Sequence, residues 1–234
     1  MSRPLQRMFT EVPPRYDLIN SVITWGLDRR WRRKAAEECL KGKPEKVLDL
    51  CCGTGDLAIT VCRLGRSEVS VVGIDYSPPM LEIARKKAAS LDGDKHISFI
   101  NGDAASLPFP DASFDSVGIS FAFRNLTYKN PLARQHLTEV RRLLTAGGRY
   151  VVVETSQPTA RFIRGIFHRY LRWIVRRVGV WLSGNKGAYN YLAESAASFY
   201  TAEEVKAMLL ESGFREVLYR PLLFGAAGIH IAVK

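Results

Sequence analysis

Residues 46–75 read KVLDLCCGTGDLAITVCRLGRSEVSVVGID. Val47, Leu48 and Leu50 make a short apolar run of the kind that is buried on both faces of a parallel sheet. Gly53 and Gly55 follow at once, with Thr54 between them, where glycine lets the backbone turn sharply and lets a ligand come close. The next ten or so residues, roughly three helical turns, have helical character, and Val69, Val71, Val72 and Ile74 then make a second buried strand. That strand ends at Asp75, whose carboxylate is placed to take the two hydroxyls of a ribose. The stretch is therefore a nucleoside-binding βαβ unit. Gly53, Gly55 and Ala58 also satisfy the dinucleotide pattern G-x-G-x-x-[GA], with Asp75 twenty residues past Gly55. The unit alone leaves the nucleoside open.

Two later features narrow it. Asp103 closes a third strand, Ile97 to Ile100, and is placed to contact an adenine. The segment LPFPDASFD, Leu107 to Asp115, then leads into a fourth strand, Phe114 to Phe121. A strand-end acid followed by this loop resembles class I S-adenosylmethionine (SAM)-dependent methyltransferases. Ligands of doubly wound sheets sit at the carboxyl ends of the strands. Ser120, Phe121, Arg124 and Asn125 are therefore expected to see both cofactor and substrate.

The 234 residues are read as one domain. Lys and Arg number 34 against 23 Asp and Glu, a formal charge of +11 that favours an anionic partner: nucleic acid, acidic lipid head groups or an acidic protein. Cys39, Cys51, Cys52 and Cys62 form no C-x-x-C pair and have no His cluster beside them, so no metal site is expected and a reduced, cytoplasmic chain fits best. No apolar run approaches the ~20 residues of a membrane span, and no signal-peptide core opens the chain. The protein is expected to be soluble, or peripheral at the inner face of a membrane.

Residues 1–45 read as an N-terminal helical flap over the cofactor, with Tyr16 facing the pocket and a basic run, Asp28 to Lys34, on its outer side. Ser77 and Pro78 suit a helix start, as do Asn130 and Pro131, and Gly147-Gly148 suit a helix end. RYVVVE, Arg149 to Glu154, reads as a fifth strand with Glu154 at its carboxyl end. Residues 155–200 interrupt the βα alternation as a helical cap insertion. From Thr155 to Ala193 there is no acid, but there are six Arg and one Lys. Ile163, Ile166, Phe167, Tyr170, Leu171, Ile174, Val178 and Trp181 share one helical face, with Arg161, His168, Arg172 and Arg176 opposite. Such a helix packs its apolar side on the domain and can secondarily lie on an anionic membrane. Thr201 and Glu204 form a capping-box pattern. Glu216 to Arg220 and Gly228 to Val233 complete a mostly parallel, seven-stranded, Rossmann-like α/β sheet.

Taken together, YDLINSVITWGLDRRWRR, VLDLCCGTGD, LPFPDASFDSVGISFAFRNL, LLTAGGRYVVVETSQP and YNYLAESAASF resemble the landmarks, in order, of the ubiquinone/menaquinone biosynthesis C-methyltransferases. The glycine loop is generic to methyltransferases; the N-terminal, FAFRN and YNYLAES segments are much more specific. The resemblance implies SAM-dependent methyl transfer to a ring carbon of a polyprenylated quinol, with demethylmenaquinol favoured over the ubiquinol precursor. It places Thr54, Asp75, Asp103, Ala104 and Ser120 on cofactor-contacting positions, to which the turn at Gly53 adds its backbone; position and chemistry, apart from the resemblance, point to catalysis at Arg124 and Asn125 and to a substrate pocket with Tyr16, Glu154 and Tyr191. The chain departs from the family pattern at Cys52, where a glycine is usual, at Ala146, and at Glu154-Thr155-Ser156-Gln157-Pro158. The partners implied are a lipophilic quinol, an anionic membrane surface and a second copy of the chain. An RNA methyltransferase using the basic surface is the alternative, but the fourth strand lacks a [DN]-P-P-[YF] signature and no cysteine nucleophile follows it. A third class, a membrane-surface scaffold that keeps a SAM pocket without catalysis, ranks lower.

Overall fold

The computed structural model describes residues 16–91, 96–175, 177–178 and 186–234. Five strands lie parallel: β1 (Lys46–Leu50), β2 (Ser70–Asp75), β3 (Ile97–Asn101), β4 (Phe114–Ser120) and β5 (Leu144–Thr155). The last two, β6 (Glu216–Leu222) and β7 (Ala227–Val233), are antiparallel to each other, and β7 is antiparallel to β5. The order across the sheet is β3-β2-β1-β4-β5-β7-β6. In β1 every residue after Lys46 is buried. Val47 pairs with Val71 and Leu48 with Val72, and each such aliphatic side chain contributes about 1.5–3 kcal/mol by leaving water. Strand order reverses between β1 and β4, which opens a crevice at their carboxyl ends.

Nine α-helices are described: α1 (Tyr16–Ile23), α2 (Leu27–Cys39), α3 (Asp56–Leu64), α4 (Pro78–Ala88), α5 (Phe123–Thr127), α6 (Ala133–Leu143), α7 (Arg161–Tyr170), α8 (Lys186–Ala197) and α9 (Ala202–Glu211). Trp31, Ala35 and Cys39 of α2 and Leu57, Val61 and Cys62 of α3 cover one face of the sheet. Leu137, Val140 and Leu143 of α6 and Val205 and Leu209 of α9 cover the other. This is the expected doubly wound arrangement.

A third apolar cluster joins Ile19 and Ile23 of α1 to Leu171, Val175 and Ala196, and the Tyr170 hydroxyl donates to the Ile23 carbonyl. The flap and the cap insertion, two separate covers in the sequence, thus pack on each other as one roof.

Several boundaries differ from the sequence reading. β4 stops at Ser120 because Phe121 turns into the left-handed region, with φ 56. Asn130 does not cap a helix: its Oδ1 accepts the Leu132 N–H at 3.0 Å in a local turn, and α6 begins at Ala133. Gly147 and Gly148 do not end a helix but lie inside β5, at an irregular stretch where the Gly147 N–H donates to the Lys234 carbonyl. Ser77 stands at the N-cap of α4, yet the N-terminal bond there comes from Asp75, whose Oδ1 accepts the Ser77 N–H. The single cap helix ends at Tyr170. A π turn, Leu171–Val175, follows and brings both of its terminal residues into the roof cluster; Arg176 and Trp181 lie outside the described residues. The capping box at Thr201 and Glu204 forms as read, with both reciprocal bonds present. Among the described residues no helix is long and apolar enough to cross a membrane.

Candidate functional site

The carboxyl ends of β1, β2 and β4 open into a groove of about 80 Å³ whose walls include Asp49, Gly53, Thr54, Asp56, Asp75 and Ser120. The chain reaches it through left-handed turns at Cys51 (φ 55), Gly53 (φ 54) and Gly55 (φ 81). A Cβ at Gly53 would meet nothing within 4 Å, so the backbone there faces open space. A Cβ at Gly55 would lie 2.9 Å from the Ala84 methyl and 3.0 Å from the Phe99 ring, so that glycine serves the packing of α3 on its neighbours. Asp75 accepts the Gly53 N–H on Oδ2 and the Ser77 N–H on Oδ1, both at 2.8 Å. Burial raises its pKa and these N–H bonds oppose the rise.

Asp49 accepts the Ala58 N–H at 2.8 Å on Oδ2, which ties β1 to α3. Its Oδ1 has no partner, and burial pushes the carboxyl up to about 8. The buried Ser120 Oγ is also unpartnered. Thr54 donates to Asp17 Oδ1 at 2.7 Å, and Lys87 Nζ bonds Thr54 Oγ1, Asp56 Oδ1 and Asp17 Oδ2. This network fastens α1 to the glycine loop. An open glycine face, an orphaned hydroxyl and an orphaned carboxylate oxygen suit a ligand that carries hydroxyls and an ammonium group, as adenosylmethionine does.

Asp103 and Ala104 line a smaller neighbouring cavity of about 20 Å³ that shares Cys51, Asp75 and Tyr76 with the groove. Asp103 Oδ1 accepts the Ala105 N–H. His136, which no sequence signal singled out, stands in the same wall. Its Nδ1 lies 2.9 Å from the Leu126 carbonyl, and burial lowers its pKa.

Beneath the roof lies a larger cavity of about 430 Å³, walled mainly by apolar residues such as Ile23, Trp31, Ile163, Phe167, Leu171 and Leu192. Its polar wall includes Arg124, Asn125, Thr155 and Tyr191. Arg124 and Asn125 ride on α5, immediately after the turn that ends β4. Arg124 Nη1 donates to Glu154 Oε1 and to Thr155 Oγ1, each at 3.0 Å; its Nε has no partner. Glu154 stands behind Arg124 and does not line the cavity. The Tyr191 hydroxyl donates to Asn125 Oδ1 at 3.3 Å, and burial raises the phenol's pKa. Tyr16 opens α1, but its side chain lies outside the described residues.

Arg32, Phe121 and Asn125 line both cavities. Phe121 holds its positive φ at this junction, where backbone strain tends to gather at ligand sites. Sequence reasoning missed Arg32, Asp28, Asp49 and Asp56. Arg32 was hidden in a charged run whose other basic members, Arg29, Arg30, Arg33 and Lys34, are exposed. Asp49 carried a readable signal, an acid inside an apolar strand. All four cysteines are free thiols, and burial pushes those of Cys51 and Cys52 well above their ordinary range. Among the described residues no group of three or more His, Cys, Asp or Glu is placed to hold a metal ion.

The ubiE/COQ5 methyltransferase family model matches residues 2–234. A demethylmenaquinone methyltransferase of Deinococcus radiodurans is 44% identical over 98% of this chain and 92% of its own length. A ubiquinone/menaquinone biosynthesis C-methyltransferase (UbiE) of Geobacter sulfurreducens is 36% identical over 98% of this chain and 88% of its own. Among solved structures, a SAM-dependent methyltransferase of Aquifex aeolicus superposes with a TM-score of 0.56 at 17% identity, covering 81% of each chain; that likeness speaks for the fold alone.

Proposed function

The chain belongs to the ubiE/COQ5 methyltransferase family, and from that premise we propose that it methylates a ring carbon of a polyprenylated quinol, with demethylmenaquinol as the substrate. The observation that carries this reading is the shared wall of the two cavities: a small polar groove suited to a nucleoside meets a larger apolar cavity at Arg32, Phe121 and Asn125. We read residues 1–234 as one catalytic unit, with the 1–45 flap and the 155–200 insertion as its roof.

Bound in the groove, SAM supplies a methyl made electrophilic by its sulfonium. Gly53 gives the backbone room for it, and Asp75, Ser120 and Asp49 offer acceptors to its hydroxyls and ammonium. Thr54, Asp103 and Ala104 complete the proposed contacts. A ring carbon becomes nucleophilic when a neighbouring hydroxyl loses its proton. It takes the methyl as the S–CH3 bond breaks and adenosylhomocysteine leaves, and the ring-carbon proton then departs as the oxygen is reprotonated, a net release of one proton. A guanidinium is a donor and not a base, so Arg124 is not the proton acceptor. Its guanidinium, fixed by Glu154, stabilises negative charge on that oxygen or holds the water that removes the proton. Asn125 takes the Tyr191 hydroxyl on Oδ1, which leaves its Nδ2 to donate to the same oxygen. The apolar walls align the ring and exclude bulk water.

The roof also supports the proposal of an anionic membrane as a partner. Trp25 and Phe224 line the large cavity yet are 82% and 78% exposed, and Phe162 on α7 is 79% exposed. Exposed Arg161, Arg169, Arg172 and Arg177 stand on the same segment. Exposed aromatic rings, with exposed cations on the segment that carries Phe162, fit a bilayer from which a prenyl tail enters.

The test is methyl transfer from labelled SAM to reduced short-chain naphthoquinol and benzoquinol analogues, run side by side. Labelled product from the naphthoquinol is expected. Absence of transfer to either ring would overturn the proposal.

A further inference from the structure

The three cavities stand in a row. The large cavity shares Arg32, Phe121 and Asn125 with the groove, the groove shares Cys51, Asp75 and Tyr76 with the small cavity, and the outer two share no described residue. In SAM the sulfonium and the base leave the ribose from opposite ends. With the methyl turned to the large cavity and the ribose at Asp75, the adenine points at the small one. At about 20 Å³ that cavity holds one water-sized group and not a ring. We infer that it receives the exocyclic amino group of the adenine, and that His136 Nε2 accepts one of the two N–H bonds of that group. The inference rests on the SAM reading and names a residue that sets base specificity.

His136 stands on α6, 1% exposed, in the wall of the small cavity with Asp103 and Leu126. Its Nδ1 lies 2.9 Å from the Leu126 carbonyl, which can only accept, so Nδ1 carries the proton of the neutral ring. The lone pair is then on Nε2, and that atom is buried without a partner. A buried acceptor left without a donor costs about 1–3 kcal/mol, a penalty that a ligand N–H removes. Burial favours the neutral ring, against the Leu126 contact and the charge of Asp103. Asp103, whose Oδ1 takes the Ala105 N–H, brings a second acceptor group to the same wall. An amino group offers two N–H donors to such a pair. A hypoxanthine presents a carbonyl oxygen at the same place, and that oxygen meets two acceptors. A site built on hydrogen bonds to one group rejects the analogue that lacks it, because its own buried polar atoms are then left unpaired.

The test is calorimetric binding of adenosylhomocysteine and of its deaminated analogue, S-inosylhomocysteine, to the full chain. The wild-type chain is expected to prefer the amino form by about 100-fold or more. His136→Leu should lower that preference about tenfold, and His136→Gln, which restores an acceptor, should regain part of it. Because His136→Leu also removes the donor to the Leu126 carbonyl, the wild-type chain with isotope-labelled histidine is read beside it by NMR. The His136 Nε2 resonance should report a bare nitrogen in the free chain and should shift when adenosylhomocysteine saturates it. A protonated Nε2, a resonance that stays put, equal binding of both ligands by the wild-type chain, or an unchanged preference in His136→Leu would overturn the proposal while leaving the methyltransferase reading intact. A wild-type chain that bound neither ligand would overturn the SAM reading as well.

Discussion

Glu154 grips Arg124 at two points: Oε1 accepts from the guanidinium and Oε2 from the Arg124 backbone N–H, each at 3.0 Å. Both side chains are almost fully buried, with 4% and 3% exposed. Removing one partner of a buried pair strands the other charge, typically at 3–5 kcal/mol. Arg124→Ala is therefore expected to lower the unfolding free energy by about 3–5 kcal/mol, read from denaturant midpoints. Arg124→Leu/Glu154→Leu should recover a good part of this. Both variants should keep SAM binding and lose turnover, because the cation at the ring is absent from each. If the double variant were no more stable than the single, the pair would not be the source of the loss.

Gly53 and Gly55 should respond differently to the same change. At Gly53 an added methyl meets no protein atom, so Gly53→Ala should cost only the strain of a left-handed alanine, about 1–2 kcal/mol, yet weaken SAM binding by filling the open face. Gly55→Ala should destabilise further, because its methyl collides with Ala84 and Phe99 as well as sitting at φ 81. Thermal unfolding and calorimetric titration of the two variants separate these effects. Equal melting temperatures would count against it.

His230 gives an acid signature unrelated to catalysis. Burial in β7 lowers its pKa from 6.5 to about 4, against a contact between Nε2 and the Ala202 carbonyl at 3.0 Å. The folded state thus favours the neutral ring. This stability is present above pH 6.5 and is lost as pH falls through about 4, a change of about 3 kcal/mol for one proton. Denaturant unfolding between these pH values should show the loss, and His230→Gln should flatten it.

Asp49 has the opposite sign. Its carboxyl is raised from 3.8 to about 8, so its contribution to stability is present below pH 3.8 and is lost as pH rises through about 8. A cationic group bound beside it favours the ionised form. SAM affinity should therefore rise across this range, with proton release visible as a buffer-dependent binding enthalpy. Asp49→Asn should abolish that buffer dependence.

Vesicle sedimentation checks the membrane reading. Phe162→Ser/Trp173→Ser, at exposed rings that do not line the large cavity, should reduce binding to anionic phospholipid vesicles by about tenfold or more, with little change in methyl transfer to a detergent-soluble short-chain quinol. Unchanged sedimentation would argue that these rings cover something other than lipid.

The fold was legible because two signals agreed. The buried runs at Val47–Leu50 and Val69–Ile74 had the length and composition of central strands, and Gly53 and Gly55 punctuated them where only a strand–turn–helix fits. The groove followed from the same stretch. What stayed hidden was long-range. Nothing local separates Arg32 from Arg33, since burial is decided by which face of α2 meets the sheet. Nothing local reveals that Glu154 would be taken by Arg124 instead of facing the cavity. The left-handed turns at Cys51 and Phe121 were equally silent, because non-glycine residues adopt them only when the surrounding fold imposes the strain. The roof reads as two pieces in the sequence because the contacts that join Ile19 and Ile23 to Leu171, Val175 and Ala196 span most of the chain.

The doorway formed by Arg32, Phe121 and Asn125 has a consequence for inhibitor chemistry. Two chambers with a common partition invite a single tethered molecule, an adenosine head joined by a short linker to a greasy bicyclic body. Each half would raise the local concentration of the other, and the affinity gained would depend on linker length, not on added contacts. Resistance would be hard to evolve, because a substitution that narrowed the passage against such a compound would also part the enzyme's own reactants.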